Sequence, residues 1–82
     1  MSQNFLKNKI ISAIRKELSE KRISLTDGIN TSKKWDSIGN LNVLMKIEDE
    51  FKIKFSSNEF SSLNSVKAIL KNVEKKYKKR NK

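Results

Sequence analysis

The sequence contains no cysteine, no histidine and no proline, and it has only two glycines among its 82 residues. Without cysteine there is no disulfide framework, no thiol nucleophile and no cysteine-ligated zinc site. Without histidine the chain lacks the side chain that most often serves as a general base near neutral pH. We therefore predict that the chain is not an enzyme and has no catalytic residue, and that any reactive group must be added to it.

Long hydrophobic runs are also missing. No stretch approaches the roughly 20 apolar residues of a membrane-spanning helix, and the first apolar run is interrupted by Lys7 and Lys9, unlike a signal peptide. We therefore expect a cytoplasmic, monomeric protein with no membrane span. The length suits a single domain over residues 1–82, with a helical core at about 4–77 and a basic, flexible tail at 78–82.

Negative charge is scarce, and the formal net charge is +10. Such an excess is typical of proteins that bind nucleic acid or an anionic membrane surface. The basic residues concentrate in 71–82, whereas 35–64 is mildly acidic. One interpretation is therefore a small basic helical protein that binds nucleic acid through its C-terminal tail. The chain contains no recognition-helix motif, so we do not expect nucleic acid as its partner.

The spacing of apolar residues predicts four helices. They span 4–21, 37–52, 57–62 and a segment from Asn64 to about Tyr77. Ser56 and Glu59 form a capping-box pattern at the start of the third helix, and Asn64 is suited to cap the fourth. We therefore predict an all-α fold, a small four-helix bundle with three longer helices and one short helix.

Residues 22–36 allow two interpretations. Asp27-Gly28 between alternating residues is typical of a β-hairpin turn. The alternative is a long loop between helices 1 and 2, held down by Ile23, Leu25 and Ile29. The loop is favoured because an isolated two-stranded hairpin is only marginally stable in water.

The second helix carries two apolar stripes. We expect the first stripe to face the core, and it consists of Val43, Leu44, Ile47 and Phe51. The second stripe consists of Ile38, Leu41 and Met45, and it either packs in the core or faces a partner. The adjacent acids Glu48, Asp49 and Glu50 point in different directions on a helix, so they predict a solvated acidic edge and no metal site.

Asp36 and Ser37 stand where the second helix begins. Asp36 is suited to cap the helix, which leaves Ser37 in the first turn. The simplest interpretation is that both residues only start the helix. The unpaired N–H groups and the helix dipole there would also stabilise a phosphate esterified to Ser37.

Asp36-Ser37-Ile38, a helix, and then Ile47-Glu48-Asp49-Glu50-Phe51 together resemble the acyl carrier protein family. That family shows Asp-Ser-Leu, a helix, an apolar residue, two or three acids and Phe. The resemblance extends over about residues 5–76. It implies a small helix bundle with a long first loop, in agreement with the loop interpretation of 22–36.

By this resemblance, Ser37, preceded by Asp36, matches the serine to which a phosphopantetheinyl transferase attaches 4′-phosphopantetheine from coenzyme A. The thiol of this cofactor carries an acyl or aminoacyl group as a thioester. Partners implied are that transferase, a loading ligase, and acyltransferase or synthase enzymes of a biosynthetic pathway. The docking residues implied are Ile38, Leu41, Met45, Glu48 and Asp49. The basic composition, and Gly39 and Asn42 at positions that are often acidic, favour a dedicated carrier of a specialised pathway over the general carrier of fatty acid synthesis.

Overall fold

The fold consists of four helices and connecting loops. The computed structural model describes residues 3–31 and 33–80, with side chains for 5–31 and 33–77. The helices are α1 (Gln3–Leu18), α2 (Ser37–Phe51), α3 (Ser57–Ser62) and α4 (Val66–Arg80), and no strand occurs in the described residues. The predicted all-α fold class is confirmed. Residues 81 and 82 of the predicted tail lie outside the described residues, and α4 continues past its predicted end at Tyr77.

The first helix ends three residues earlier than predicted. Ser19 adopts a left-handed conformation with φ of 56°, and the Glu20 N–H donates to the Arg15 carbonyl oxygen at 3.0 Å. This pairing closes the helix in the manner of a Schellman motif. The chain is thereby turned away from the helix axis and enters the loop that leads to α2.

The segment between α1 and α2 is a loop, as favoured over the hairpin. It is tied to the start of α4 by two backbone hydrogen bonds, from the Ile29 N–H to the Asn64 oxygen at 2.9 Å and from the Val66 N–H to the Asp27 oxygen at 3.0 Å. Gly28 permits this close approach, because a Cβ atom there would lie 2.5 Å from the Asn64 oxygen. The loop therefore has a defined position against the bundle.

The prediction that Asn64 caps α4 is wrong by one residue. The Ala68 N–H donates to Ser65 Oγ at 3.2 Å, so the capping side chain is that of Ser65. The backbone oxygen of Asn64 serves the loop instead, through its bond with Ile29. Neighbouring residues that are both good caps cannot be distinguished by residue type alone.

The hydrophobic core lies between α1, α2 and α4, with α1 packed against both other long helices. The predicted inner stripe of α2 is fully or almost fully buried, and it consists of Val43, Leu44, Ile47 and Phe51. Trp35 from the loop is also completely buried. None of the helices in the described part of the chain combines the length and the apolar character needed to cross a membrane.

Glu59 fastens the short helix α3 to α4. Its carboxylate accepts hydrogen bonds from Asn72 Nδ2 at 2.9 Å and from Lys76 Nζ at 3.0 Å. The predicted capping box is present, with the Ser56 N–H donating to Glu59 Oε1 at 2.8 Å. Three hydrogen bonds lower the pKa of Glu59 from 4.5 to about 2. The bond from Asn72 has the largest effect, followed by those from Ser56 and Lys76.

This pKa predicts an acid-sensitive contribution to stability. The contribution of Glu59 is fully present above the unfolded-state pKa of 4.5 and is lost as the pH falls towards the folded-state pKa of about 2. Because the carboxylate is partly exposed, we expect a loss of about 1 to 2 kcal/mol. Urea unfolding of the wild type and of Glu59→Gln between these pH values measures it.

Glu59→Gln should already be less stable at neutral pH and should change less with pH in this window. The matched control is Glu50→Gln, which removes an exposed carboxylate from α2. That control should keep the wild-type pH dependence. Parallel curves for the wild type and Glu59→Gln would contradict the assignment.

Candidate functional site

The first turn of α2 is capped as predicted. Asp36 Oδ1 accepts a hydrogen bond from the Gly39 N–H at 2.7 Å, and the Asp36 carbonyl oxygen accepts one from the Asn40 N–H at 2.8 Å. Asp36 has the extended backbone of an N-cap residue. Ser37 is therefore the first residue of the helix.

The Ser37 side chain is exposed to solvent. Within the described part of the chain, no group hydrogen-bonds its hydroxyl. Asp36 already occupies the Gly39 N–H, so the N–H groups of Ser37 and Ile38 are left at the positive end of the helix dipole. The site combines an accessible nucleophilic oxygen with an electrostatic environment that favours an attached anion.

A buried hydrogen-bonded pair holds this turn in place. Trp35 is completely buried and its Nε1–H donates to Asn40 Oδ1 at 2.8 Å. Asn40 is only 4% exposed, and its Nδ2 donates to the Leu63 carbonyl oxygen at 2.9 Å. One side chain on α2 thus joins the loop before Ser37 to the end of α3.

Sequence reasoning missed Asn40 and the role of Trp35. The available signal is that Asn40 precedes Val43, Leu44 and Ile47 at helical spacing, so it falls on the core side of α2. A polar residue at a core position needs a buried partner. The indole N–H of the only tryptophan is the complementary donor.

Gly39 allows the preceding loop to lie directly against α2. A Cβ atom on Gly39 would be 2.5 Å from the Lys34 carbonyl oxygen and 3.2 Å from Asp36 Oδ1. Lys34 in turn reaches the end of α1, where its Nζ donates to the Ser19 oxygen at 3.0 Å. Any side chain at position 39 would collide with the Lys34 carbonyl oxygen, which is a steric reason for glycine there.

The second apolar stripe of α2 faces solvent. Ile38 is 70% exposed, Leu41 47% and Met45 50%. The alternative that these residues belong to the core is therefore wrong. We call these three residues the outer row of α2. In the described residues they account for all the exposed large hydrophobic side chains except Phe5.

The acids near the outer row differ in their environment. Glu48 is partly buried, and its Oε2 accepts a hydrogen bond from the Phe55 N–H at 2.7 Å, which ties the following segment to α2. Asp49 is exposed. Both acids line a surface groove together with Met45, Lys52, Ile53 and Lys54. The surface at this end of the outer row is therefore of mixed charge, and not uniformly acidic.

Comparison with known proteins finds no family model and no curated sequence that matches this chain. The resemblance to carrier proteins therefore depends on the residues quoted from 36–51 and their continuation to about 76. The site residues that it implies are brought together on α2, with Ser37 at the first position and Asp49 near the last turn.

We predict that Asn40→Ala strongly destabilises the fold. The substitution leaves the buried Trp35 N–H and Leu63 carbonyl oxygen without partners, which should cost about 2 to 4 kcal/mol of unfolding free energy. Urea unfolding followed by tryptophan fluorescence measures this change.

Asn42→Ala is the matched control. Asn42 lies on the same helix but is exposed, so the same change in helix propensity occurs without loss of a buried hydrogen bond. Its unfolding free energy should stay within about 0.5 kcal/mol of the wild type. Equal effects of the two substitutions would refute the role of Asn40.

Proposed function

We propose that this protein is a stand-alone acyl carrier protein, with 4′-phosphopantetheine attached covalently to Ser37. The observation that carries the proposal is the exposed Ser37 hydroxyl at the first position of α2, directly after the Asp36 cap. The carrier-family sequence pattern, which continues through Phe51, and the four-helix fold with its long first loop support the same proposal.

The residues around Ser37 fit a phosphodiester. The hydroxyl is accessible to a modifying enzyme, and the N–H groups of the first turn favour the negative charge of a phosphate. Asp36 fixes this turn through Gly39, and Trp35 and Asn40 fix the loop that leads to it. When bound, the cofactor supplies a terminal thiol that carries an acyl or aminoacyl group as a thioester. Cysteine and histidine are then not needed in the chain.

The outer row of α2 is the docking surface in this proposal. An apolar surface of three large side chains beside the modified serine provides contact area for partner enzymes, and Asp49 provides charge at its edge. The partners proposed are a phosphopantetheinyl transferase, a loading ligase, and acyltransferase or synthase enzymes of a biosynthetic pathway. Basic composition favours a specialised pathway, and the carrier itself has no catalytic residue.

One prediction of this proposal concerns the attachment site. Incubation with coenzyme A and a broad-specificity phosphopantetheinyl transferase should add one phosphopantetheine to the wild-type chain, as measured by intact-protein mass spectrometry. Ser37→Ala should gain no mass, because the nucleophilic oxygen is removed.

Ser57→Ala is the matched control for this experiment. Ser57 is the first residue of α3, follows the Ser56 cap and is exposed, so it occupies the same local position on a different helix. Ser57→Ala should be modified like the wild type. An unmodified wild type, or modification of Ser37→Ala, would disprove the proposed attachment.

A second prediction concerns the outer row. Met45→Glu replaces a half-exposed apolar side chain with a charge, so it should weaken docking and lower kcat/KM for modification about tenfold, equivalent to about 1.4 kcal/mol. Thermal unfolding should change little because Met45 is outside the core.

Ser61→Glu provides the control for charge. Ser61 is exposed on α3, so its substitution adds a carboxylate on a different helix from the outer row and should leave kcat/KM unchanged. An equal loss in the two variants would show that net charge, and not the outer row, determines docking. Unfolding of Met45→Glu would also count against this assignment.

A further inference from the structure

The net positive charge of the chain lies mostly on two neighbouring helices. Residues of α1 include four bases and one acid, and those of α4 include seven bases and one acid, so the two helices carry +9 of the net charge of +10. The sequence of α2 has one base and three acids. The helix with the carrier site is therefore mildly acidic, although the whole chain is strongly basic.

The two basic helices pack side by side. We call the solvent-exposed residues of this helix pair the α1–α4 face. Its exposed basic residues are Lys9, Arg15, Lys16, Lys67, Lys71 and Lys75. The last three recur every fourth residue, which places them on one side of α4. Glu17 is the exposed acid of these helices, and Glu74 is partly buried.

The α1–α4 face also carries an exposed aromatic ring. Phe5 is 54% exposed, and it is the only exposed aromatic side chain among the described residues. Lys9 Nζ lies 5.7 Å from the centroid of the Phe5 ring. An exposed apolar ring beside a lysine suits the headgroup region of an anionic bilayer, where the ring enters the interface and the amine contacts phosphate.

We propose that the α1–α4 face binds the surface of an anionic lipid bilayer. Two helices packed side by side present a broad surface. Such a surface fits the plane of a bilayer better than it fits the groove of a nucleic acid, which accepts a single projecting helix or ribbon. Binding of single-stranded nucleic acid uses successive aromatic platforms, whereas Phe5 is the only exposed aromatic side chain among the described residues. The charge and the single aromatic anchor therefore favour lipid.

The aromatic anchor lies far from Ser37 along the bundle. Lys9 Nζ is also 5.6 Å from the Phe51 ring, so Phe5 lies at the end of the bundle where α2 finishes. Ser37 is the first residue of this 15-residue helix, which is about 21 Å long at 1.5 Å per residue. The inference does not depend on modification of Ser37.

Vesicle co-sedimentation of the purified chain tests the proposal. The probes are phosphatidylcholine vesicles with about 30% phosphatidylglycerol and vesicles of phosphatidylcholine alone. We expect the wild type to sediment only with the anionic vesicles and to dissociate as salt rises above about 0.15 M. The combined variant Lys67→Glu, Lys71→Glu and Lys75→Glu should bind at least about tenfold more weakly.

The matched control is the combined variant Lys33→Glu, Lys46→Glu and Lys54→Glu. It changes the net charge by the same amount at residues in and around α2, and it should still bind. Phe5→Ala leaves the charge unchanged and should weaken binding about threefold or more. Circular dichroism verifies that each variant is folded.

Three results would overturn the proposal: no sedimentation of the wild type, an equal loss in the two charge variants, or tighter binding to a single-stranded RNA or an acidic polypeptide than to the anionic vesicles. Ser37→Ala should sediment like the wild type, and the Lys67, Lys71 and Lys75 variant should still accept phosphopantetheine. The two readouts therefore distinguish failure of membrane binding from failure of the carrier assignment.

Discussion

The site depends on the hydrogen bonds of one buried amide. Asn40 accepts from the Trp35 indole and donates to the Leu63 carbonyl oxygen, so it connects the long loop, α2 and the end of α3. A buried amide with both functions satisfied stabilises one arrangement, because any shift leaves a polar group unpaired away from water. The position of Ser37 follows from this constraint, since Trp35 comes two residues before it and Asn40 three residues after it.

Close backbone approach accounts for the position of the loop. Gly28 lies against Asn64 at the start of α4, and Gly39 lies against Lys34 in front of α2. Both glycines of the chain are used where a side chain would collide with a carbonyl oxygen. A loop of this length would otherwise have much conformational entropy. Its backbone bonds to the bundle and the buried indole of Trp35 oppose that entropy, so the first turn of α2 has a fixed support.

The bundle separates a buried core from two kinds of exposed surface. The inner stripe of α2 contributes to the core, its outer row presents apolar side chains beside Ser37, and α1 and α4 together carry +9 of the net charge of +10. In the two proposals, the outer row contacts enzymes and the α1–α4 face contacts lipid. The two surfaces belong to different helices. The net charge alone would have obscured this division, because α2 itself is mildly acidic.

Local pattern was sufficient for the helices, the Asp36 cap, the capping box and the two stripes of α2, because helical spacing and capping act over three or four residues. Residue types also sufficed to locate Ser37. The end of α1 and the cap of α4 depend on local hydrogen bonds that residue type does not distinguish from those of neighbouring residues. The partners of Asn40, Trp35 and Glu48 required the tertiary structure, because they lie beyond the spacing of a helical turn, such as Leu63 for Asn40 and Phe55 for Glu48. The amino-acid sequence alone thus determined which residues could start a helix or enter the core, whereas packing decided which of these residues are in contact.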